Sequence, residues 1–182
     1  MCKRKSASRR ERGLVLVELL VAGCVLAILA ALAAPAFTAI SERLKLRSAV
    51  DALTSSLYTA RAEAYKRGGH VTLAQSTAPD CAPAQGNSRW RCGWSVFADA
   101  DEDGVRDAGD ELILAEQPPP GIDVAQSSGR SALKLNAWGQ FSGQQGVGFV
   151  LSSRVRSELV TVICISSGGR VRSIAGASRC PG

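Results

Sequence analysis

The chain has 182 residues, a formal net charge of +6, six cysteines and one histidine. Residues 1–13 alone carry a net charge of +5, and the remaining residues hold 16 basic and 15 acidic side chains. Because the bulk of the chain is nearly neutral, its overall basicity is no argument for a nucleic-acid partner. One histidine and no Cys-x-x-Cys spacing also exclude a zinc site of the usual kind.

An apolar run of 21 residues, 14–34, follows the basic head, and Glu18 is its only charged residue. The run is long enough to cross a membrane once, with the basic head on the cytoplasmic side. An ionised carboxylate inside such a segment is costly unless it finds a partner, so Glu18 indicates a function. A plain signal anchor leaves this residue unexplained.

Three other targeting signals fit the run less well. A secretory signal peptide needs a shorter apolar core with a cleavage site of small residues, whereas this core ends in the Ala-Ala-Pro of residues 33–35. Residues 21–24, Val-Ala-Gly-Cys, match a lipoprotein signal, but ten more apolar residues follow Cys24. The arginine pair at residues 9–10 is typical of twin-arginine signals, yet Arg-Gly at residues 12–13 replaces the apolar residues expected next.

Residues 13–19, Gly-Leu-Val-Leu-Val-Glu-Leu, resemble the prepilin signal of type IV pilins and type II secretion pseudopilins. The resemblance implies that a prepilin peptidase cuts between Gly13 and Leu14, that the new amino terminus is methylated, and that Glu18 is the fifth mature residue. The new α-amine would pair with Glu18 of a neighbouring subunit and offset the cost of burying it. Pro35 falls where many pilins kink their helix. Leu14 departs from the usual phenylalanine.

Residues 35–67 continue the helix as an amphipathic segment. Apolar residues recur at steps of three and four, which places on one helical face Leu46, Val50, Leu53, Leu57, Ala60 and Ala64. Charged residues between them, Arg61 included, form the polar face. Gly68 and Gly69 end the helix. A helix over residues 14–67 would be roughly 80 Å long at about 1.5 Å per residue.

From residue 68 on, short β-like runs alternate with turn residues, and Pro-Pro-Pro-Gly at 118–121 is a stiff connector. The alternation predicts strands over residues 70–75, 92–98, 111–116, 132–136, 147–151, 158–166 and 170–174. A long helix followed by an antiparallel sheet predicts the α+β class.

Two stretches of this region resemble the GspH/FimT group of pseudopilins and minor pilins: residues 60–68, Ala-Arg-Ala-Glu-Ala-Tyr-Lys-Arg-Gly, and residues 93–99, Gly-Trp-Ser-Val-Phe-Ala-Asp. The resemblance implies a type IV pilin-like fold, without enzymatic activity, at the tip of a type II secretion pseudopilus or type IV pilus. It also implies other pilins and an inner-membrane assembly platform as partners. The expected organisation is a leader (1–13), an inner-membrane span (14–34), the amphipathic helix (35–67) and a periplasmic domain (68–182).

Four cysteines fall in this expected periplasmic domain, where oxidising conditions favour disulfides. Four cysteines allow three pairings, and proximity in the sequence favours Cys81–Cys92 and Cys164–Cys180. Each pairing closes a short loop and would stabilise the fold by roughly 3 kcal/mol in the chain-entropy model.

Residues 99–110 have the spacing of a calcium loop, with a glycine at the sixth position and carboxylates at positions 1, 3, 5, 9 and 12: Asp99, Asp101, Asp103, Asp107 and Asp110. Position 12 usually holds a longer glutamate, and the flanking sequences are typical of strands, not of EF-hand helices. Calcium as a cofactor and an acidic hairpin loop without metal both remain open. A calcium-binding periplasmic module on a plain signal anchor is therefore the rival function.

Residues 167–173, Ser-Gly-Gly-Arg-Val-Arg-Ser, place Arg170 and Arg172 beside a glycine turn in a basic C-terminal third. Such a pair can hold phosphate oxygens. The stretch resembles the Gly-Arg-x-Arg motif of FimT-type minor pilins, which implies sequence-independent binding of double-stranded DNA during uptake. The candidate DNA-binding residues are Gly169, Arg170, Arg172, Arg154, Arg156 and Arg179. Two solvated surface arginines are the alternative.

Overall fold

The computed structural model describes residues 11–76, 89–141, 146–166 and 168–181, and of residues 11–15, 33–35 and 89 it describes only the backbone. In this part of the chain one long helix precedes eight strands, which confirms the predicted α+β class. The elements are helix α1 (Glu11–Arg67), a 3₁₀ turn (Arg89–Cys92), and strands β1 (Val71–Gln75), β2 (Trp94–Ala98), β3 (Leu112–Glu116), β4 (Ile122–Gln126), β5 (Ala132–Leu135), β6 (Val147–Ser153), β7 (Val160–Ile165) and β8 (Val171–Ala175).

The chain divides into two compact units, Met1–Ser41 and Glu42–Gly182. In the first unit the described residues are all helical. Within the described part of the chain no single helix meets the length and hydropathy criteria for a membrane span, although the bent pair Leu16–Leu32 and Ala36–Arg67 meets them jointly. Pro35 lies between the two members of that pair.

The second unit begins with the last turns of α1, where the predicted apolar face is confirmed. Its members are all at most 8% exposed: Leu46, Val50, Leu53, Leu57, Ala60 and Ala64. The helix ends at Arg67 because Gly68 adopts φ +76° and the amide of Gly69 donates to the carbonyl of Ala64 at 2.8 Å. That left-handed conformation is cheap only for glycine, which is why the glycine pair is an effective stop.

The strands form two antiparallel four-stranded sheets, one in the order β3-β2-β1-β5 and the other in the order β4-β6-β7-β8. The seven predicted strands correspond to β1–β3 and β5–β8. No predicted strand end differs from the observed one by more than two residues. Strand β4 was not predicted, because its apolar alternation is only three residues long and follows the proline run. It pairs with β6 in the register Val124↔Leu151 and completes the second sheet.

One core joins α1 to both sheets, since buried residues of all three belong to a single apolar cluster. The indole nitrogen of Trp94 on β2 donates to the hydroxyl of Ser56 on the helix at 2.8 Å. Trp90 stacks edge to face on Phe149 of β6 with ring centroids 4.9 Å apart. The third tryptophan, Trp138, lies in a turn and is 72% exposed.

Candidate functional site

The turn between β7 and β8 carries the glycine-arginine motif, and backbone hydrogen bonds close it. The amide of Ser166 donates to the carbonyl of Arg170 at 3.0 Å, and the amide of Gly169 donates to the carbonyl of Ser166 at 2.8 Å. The amide of Arg170 donates to the hydroxyl of Ser166 at 3.1 Å. The amides of Gly169 and Arg170 are thus used within the turn and are not available to a phosphate.

Arg61 on helix α1 is hydrogen-bonded to this turn. Its guanidinium donates to the carbonyl of Gly169 and, at 3.0 Å, to the carbonyl of Gly139 in the turn after β5. Gly169 is buried with φ +77°, and a Cβ atom there would lie 2.9 Å from Cζ of Arg61. By helical periodicity Arg61 belongs to the polar face of α1, and nothing in the local pattern indicates partners 78 and 108 residues away.

An open cavity of about 440 Å³ lies beside this turn, on the face of the second sheet that points away from the core. Three arginines that line it, here called the arginine rim, are Arg170, Arg172 and Arg179. Its apolar lining includes Val150, Val162 and Ile174. Among the described residues no acidic side chain pairs with the arginine rim, so three positive charges face one concave surface.

The disulfide between Cys164 and Cys180 confirms the predicted pairing, with Cα atoms 5.7 Å apart. Cys164 stands opposite Arg172 in the β7–β8 register, so the bridge ties the C-terminal tail, and Arg179 with it, to the sheet. The sheet has room for the bridge because Gly148 lies beneath it: a Cβ atom there would be 3.1 Å from Sγ of Cys180. Cys92 is also disulfide-bonded, but Cys81 lies outside the described residues, so Cys81–Cys92 stays a prediction.

The structure does not bring Arg154 and Arg156 to the arginine rim. Both lie in the β6–β7 turn, at the opposite end of β7, about 17 Å along a strand of this length. Each lies near an acid: Nε of Arg154 is 3.7 Å from Oδ1 of Asp123, and Nε of Arg156 is 2.7 Å from Oε1 of Glu158. A backbone hydrogen bond within Glu158 and then the Arg156 guanidinium lower the pKa of Glu158.

The acidic loop, residues 99–110, connects β2 to β3, so its flanks are strands, as the sequence indicated. One carboxylate oxygen from each of Asp99, Asp101 and Asp103 lies within 4.8 Å of the other two. The remaining two predicted ligands are outside this group and close the loop instead. Asp110 accepts from the amides of Ala100 and Asp107 at 3.4 and 3.1 Å, and Asp107 accepts from the amide of Gly109 at 2.7 Å.

The first unit carries the residues predicted for processing and assembly. Gly13 and Leu14 lie in the first turns of α1, where only the backbone is described. Glu18 is exposed on the stem, here defined as the helical residues 16–32. The large apolar side chains of the stem are between 50% and 71% exposed. Within this unit, therefore, no described residue covers the apolar surface or approaches the Glu18 carboxylate closely enough to pair with it.

Comparison with known proteins points to one family. The family model described as type II transport protein GspH matches residues 49–169. Two crystal structures of the type IV minor pilin FimU from Pseudomonas aeruginosa share the fold, one with a TM-score of 0.58 at 20% identity and the other with 0.55 at 19%. The alignments cover 78% and 74% of this chain and 96% of each FimU chain. No curated protein sequence matches this chain significantly.

Proposed function

The chain belongs to the GspH family and is therefore a pseudopilin or minor pilin of a type II secretion system or type IV pilus, and from this we propose that it stands at the filament tip and helps to start assembly. The observation that carries the proposal is the stem. It is an apolar helix, exposed on all sides within its own unit, with Glu18 as its only charged residue. Such a surface requires lipid or neighbouring helices around it.

In this proposal the chain is inserted in the bacterial inner membrane through residues 14–34, with its second unit in the periplasm. The prepilin peptidase cuts between Gly13 and Leu14 on the cytoplasmic side. The new α-amine of Leu14 then pairs with Glu18 of an adjacent subunit. An ionised carboxylate loses its hydrating water in lipid, and the pairing with an α-amine compensates for that loss. The subunit is therefore more stable next to another pilin than alone in the bilayer.

Two measurements test this assembly role. Mass spectrometry of the mature chain is expected to find Leu14 at the amino terminus, and an intact head would refute the processing step. Glu18→Ala is expected to be cleaved normally but to be lost from sheared filaments, with Asp51→Ala as a control for removing an exposed helix acid outside the stem. Normal incorporation of Glu18→Ala would refute the pairing.

A second candidate function, capture of double-stranded DNA, has one specific observation in its favour. The arginine rim places three guanidinium groups without acidic partners, among the described residues, around one cavity. Guanidinium groups bind phosphate oxygens with two parallel hydrogen bonds, and backbone contacts of this kind are independent of base sequence. Arg154 and Arg156 are farther away and near acids, so they contribute little in this proposal.

The structure offers a matched control for a DNA-binding experiment. Two double variants remove the same charge at opposite ends of one sheet. The first is Arg170→Ala with Arg172→Ala, and the second is Arg154→Ala with Arg156→Ala. Anisotropy titrations of a random-sequence duplex with the full chain in mild detergent are expected to show that the first pair reduces the slope of log K against log salt by about two. Equal effects of both pairs, or no binding by the wild type, would refute DNA capture but leave the assembly role untouched.

A further inference from the structure

We propose that Asp99, Asp101 and Asp103 form a calcium site that fixes the acidic loop on the outer face of the first sheet. The three side chains differ in a way that sequence spacing does not reveal. Asp101 and Asp103 are exposed, whereas Asp99 is completely buried at the end of β2. A buried carboxylate needs a donor or a cation for each oxygen, because desolvation of an unpaired charge is costly.

Of the two carboxylate oxygens of Asp99, only one accepts hydrogen bonds from the described residues. Oδ2 accepts from the hydroxyl of Thr72 at 2.6 Å and from the amide of Gly104 at 3.0 Å. Oδ1 is buried and accepts no hydrogen bond from any residue that the structure describes. The carboxylate therefore keeps an acceptor site that no described residue fills, and the carboxylates of Asp101 and Asp103 lie near it.

The spacing of the three carboxylates suits calcium. Oxygens bound to one calcium ion at about 2.3–2.6 Å can be at most about 5 Å apart, and the three oxygens here lie within 4.8 Å of one another. Asp101 Oδ1 accepts from the amide of Asp103 at 3.2 Å, and Asp103 Oδ1 accepts from the amide of Val105 at 2.6 Å. These bonds orient both side chains and leave the second oxygen of each for a cation, with water able to complete the shell.

No basic side chain of the described residues already neutralises these carboxylates. Lys134 on β5 donates its ammonium group to the carbonyl of Glu102, not to a carboxylate. The Glu102 side chain itself lies 3.1 Å from Nδ1 of His70. Five aspartates of the acidic loop consequently make no ion pair among the described residues, which gives a divalent cation both the charge and the vacant oxygens it requires.

The proposed ion would have a structural effect on the loop. Asp99 follows β2 directly and accepts a hydrogen bond from Thr72 on β1, whereas Asp101 and Asp103 lie farther into the loop, three and five residues beyond the end of β2. Residues of the same loop, Gly104 and Val105, line a cavity of about 480 Å³ on the first sheet. A cation shared by the three carboxylates would therefore join the loop to the strand end and make it less mobile.

Calcium titration of the full chain in mild detergent, after removal of metal with a chelator, tests the site. We expect calorimetry to give a dissociation constant of about 10⁻⁴–10⁻³ M, as in extracellular calcium modules. At about ten times that concentration, calcium is expected to raise the melting temperature of the second unit by about 3–5 °C. Magnesium at the same concentration is expected to have less effect, because it requires a more regular octahedral shell.

Variants of exposed residues keep the test independent of folding. Asp101→Asn with Asp103→Asn is expected to weaken calcium binding at least about tenfold, because two ligand charges are removed. Asp107→Asn removes a charge from the same loop but outside the three-carboxylate group and is expected to change binding less than about threefold. An absent calcium effect in the wild type, or an equal loss in Asp107→Asn, would overturn the proposal. Neither outcome bears on filament assembly or DNA binding.

Discussion

Replacement of Arg61 by alanine is expected to destabilise the second unit strongly, although Arg61 lies on the charged face of a helix. Its guanidinium donates to the carbonyls of Gly139 and Gly169. Hydrogen bonds from charged donors contribute about 1.5–3 kcal/mol each. Because Arg61 is only half-buried, water partly replaces it, and we expect a total loss of about 2–3 kcal/mol.

Urea unfolding of the full chain in mild detergent, followed through the fluorescence of the buried tryptophans, measures this loss. The matched control is Arg47→Ala on the same helix. The Arg47 side chain is 82% exposed and lies 4.0 Å from Asp51, so its removal is expected to cost less than about 0.5 kcal/mol. A free energy of unfolding for Arg61→Ala within about 0.5 kcal/mol of the wild type would refute the role assigned to this arginine.

A double-mutant cycle with Gly169→Ala separates the contact from general destabilisation. In the wild type, alanine at this position meets both the cost of a positive φ and an overlap with the Arg61 guanidinium, 2.9 Å from the new Cβ. In Arg61→Ala the overlap disappears and only the backbone cost of the left-handed conformation, about 1–2 kcal/mol, remains. We expect a coupling energy of about 1–2 kcal/mol, and simple additivity would contradict the packing described.

Three further predictions concern stability. Cys164→Ser with Cys180→Ser is expected to lower the free energy of unfolding by about 3 kcal/mol in chemical denaturation, because the bridge closes a short loop. Trp94→Phe removes an indole donor from a buried serine and should cost about 2 kcal/mol in the same assay. Hydrogen bonds from Arg67 lower the folded-state pKa of Glu111, so the pair stabilises the folded chain at pH values above the unfolded-state pKa of this carboxyl group. This stabilisation is lost as the pH falls through the folded-state pKa, and Glu111→Gln should therefore flatten the fall in stability below about pH 5.

Local periodicity determined much of what could be predicted. The steps of three and four from Leu46 to Ala64 correctly predicted the buried helical face, since side chains on one face of a helix are set by the helical repeat alone. Alternation within short runs likewise identified seven of the eight described strands. Strand β4 escaped because its identity as a strand depends on its partner β6, not on its own brief alternation.

The composition of the candidate sites depended on contacts between residues distant in sequence. Arg170 and Arg172 are neighbours in the chain, but Arg179 joins them only because the disulfide ties the C-terminal tail to β7. By sequence, Arg154 and Arg156 were supporting candidates on the same footing as Arg179, yet the antiparallel hairpin places them at its other end.

The acidic loop shows the same division between sequence and structure. Its spacing of aspartates is visible in the sequence and indicates a possible metal site. The complete burial of Asp99 is a tertiary property, and so is the nearness of its carboxylate to those of Asp101 and Asp103. Sequence by itself determined the helix, most strands and the charged stem residue, because these follow from local repeats and composition. Packing of the helix and two sheets decided which side chains meet, because burial and partners arise only when distant segments are brought together.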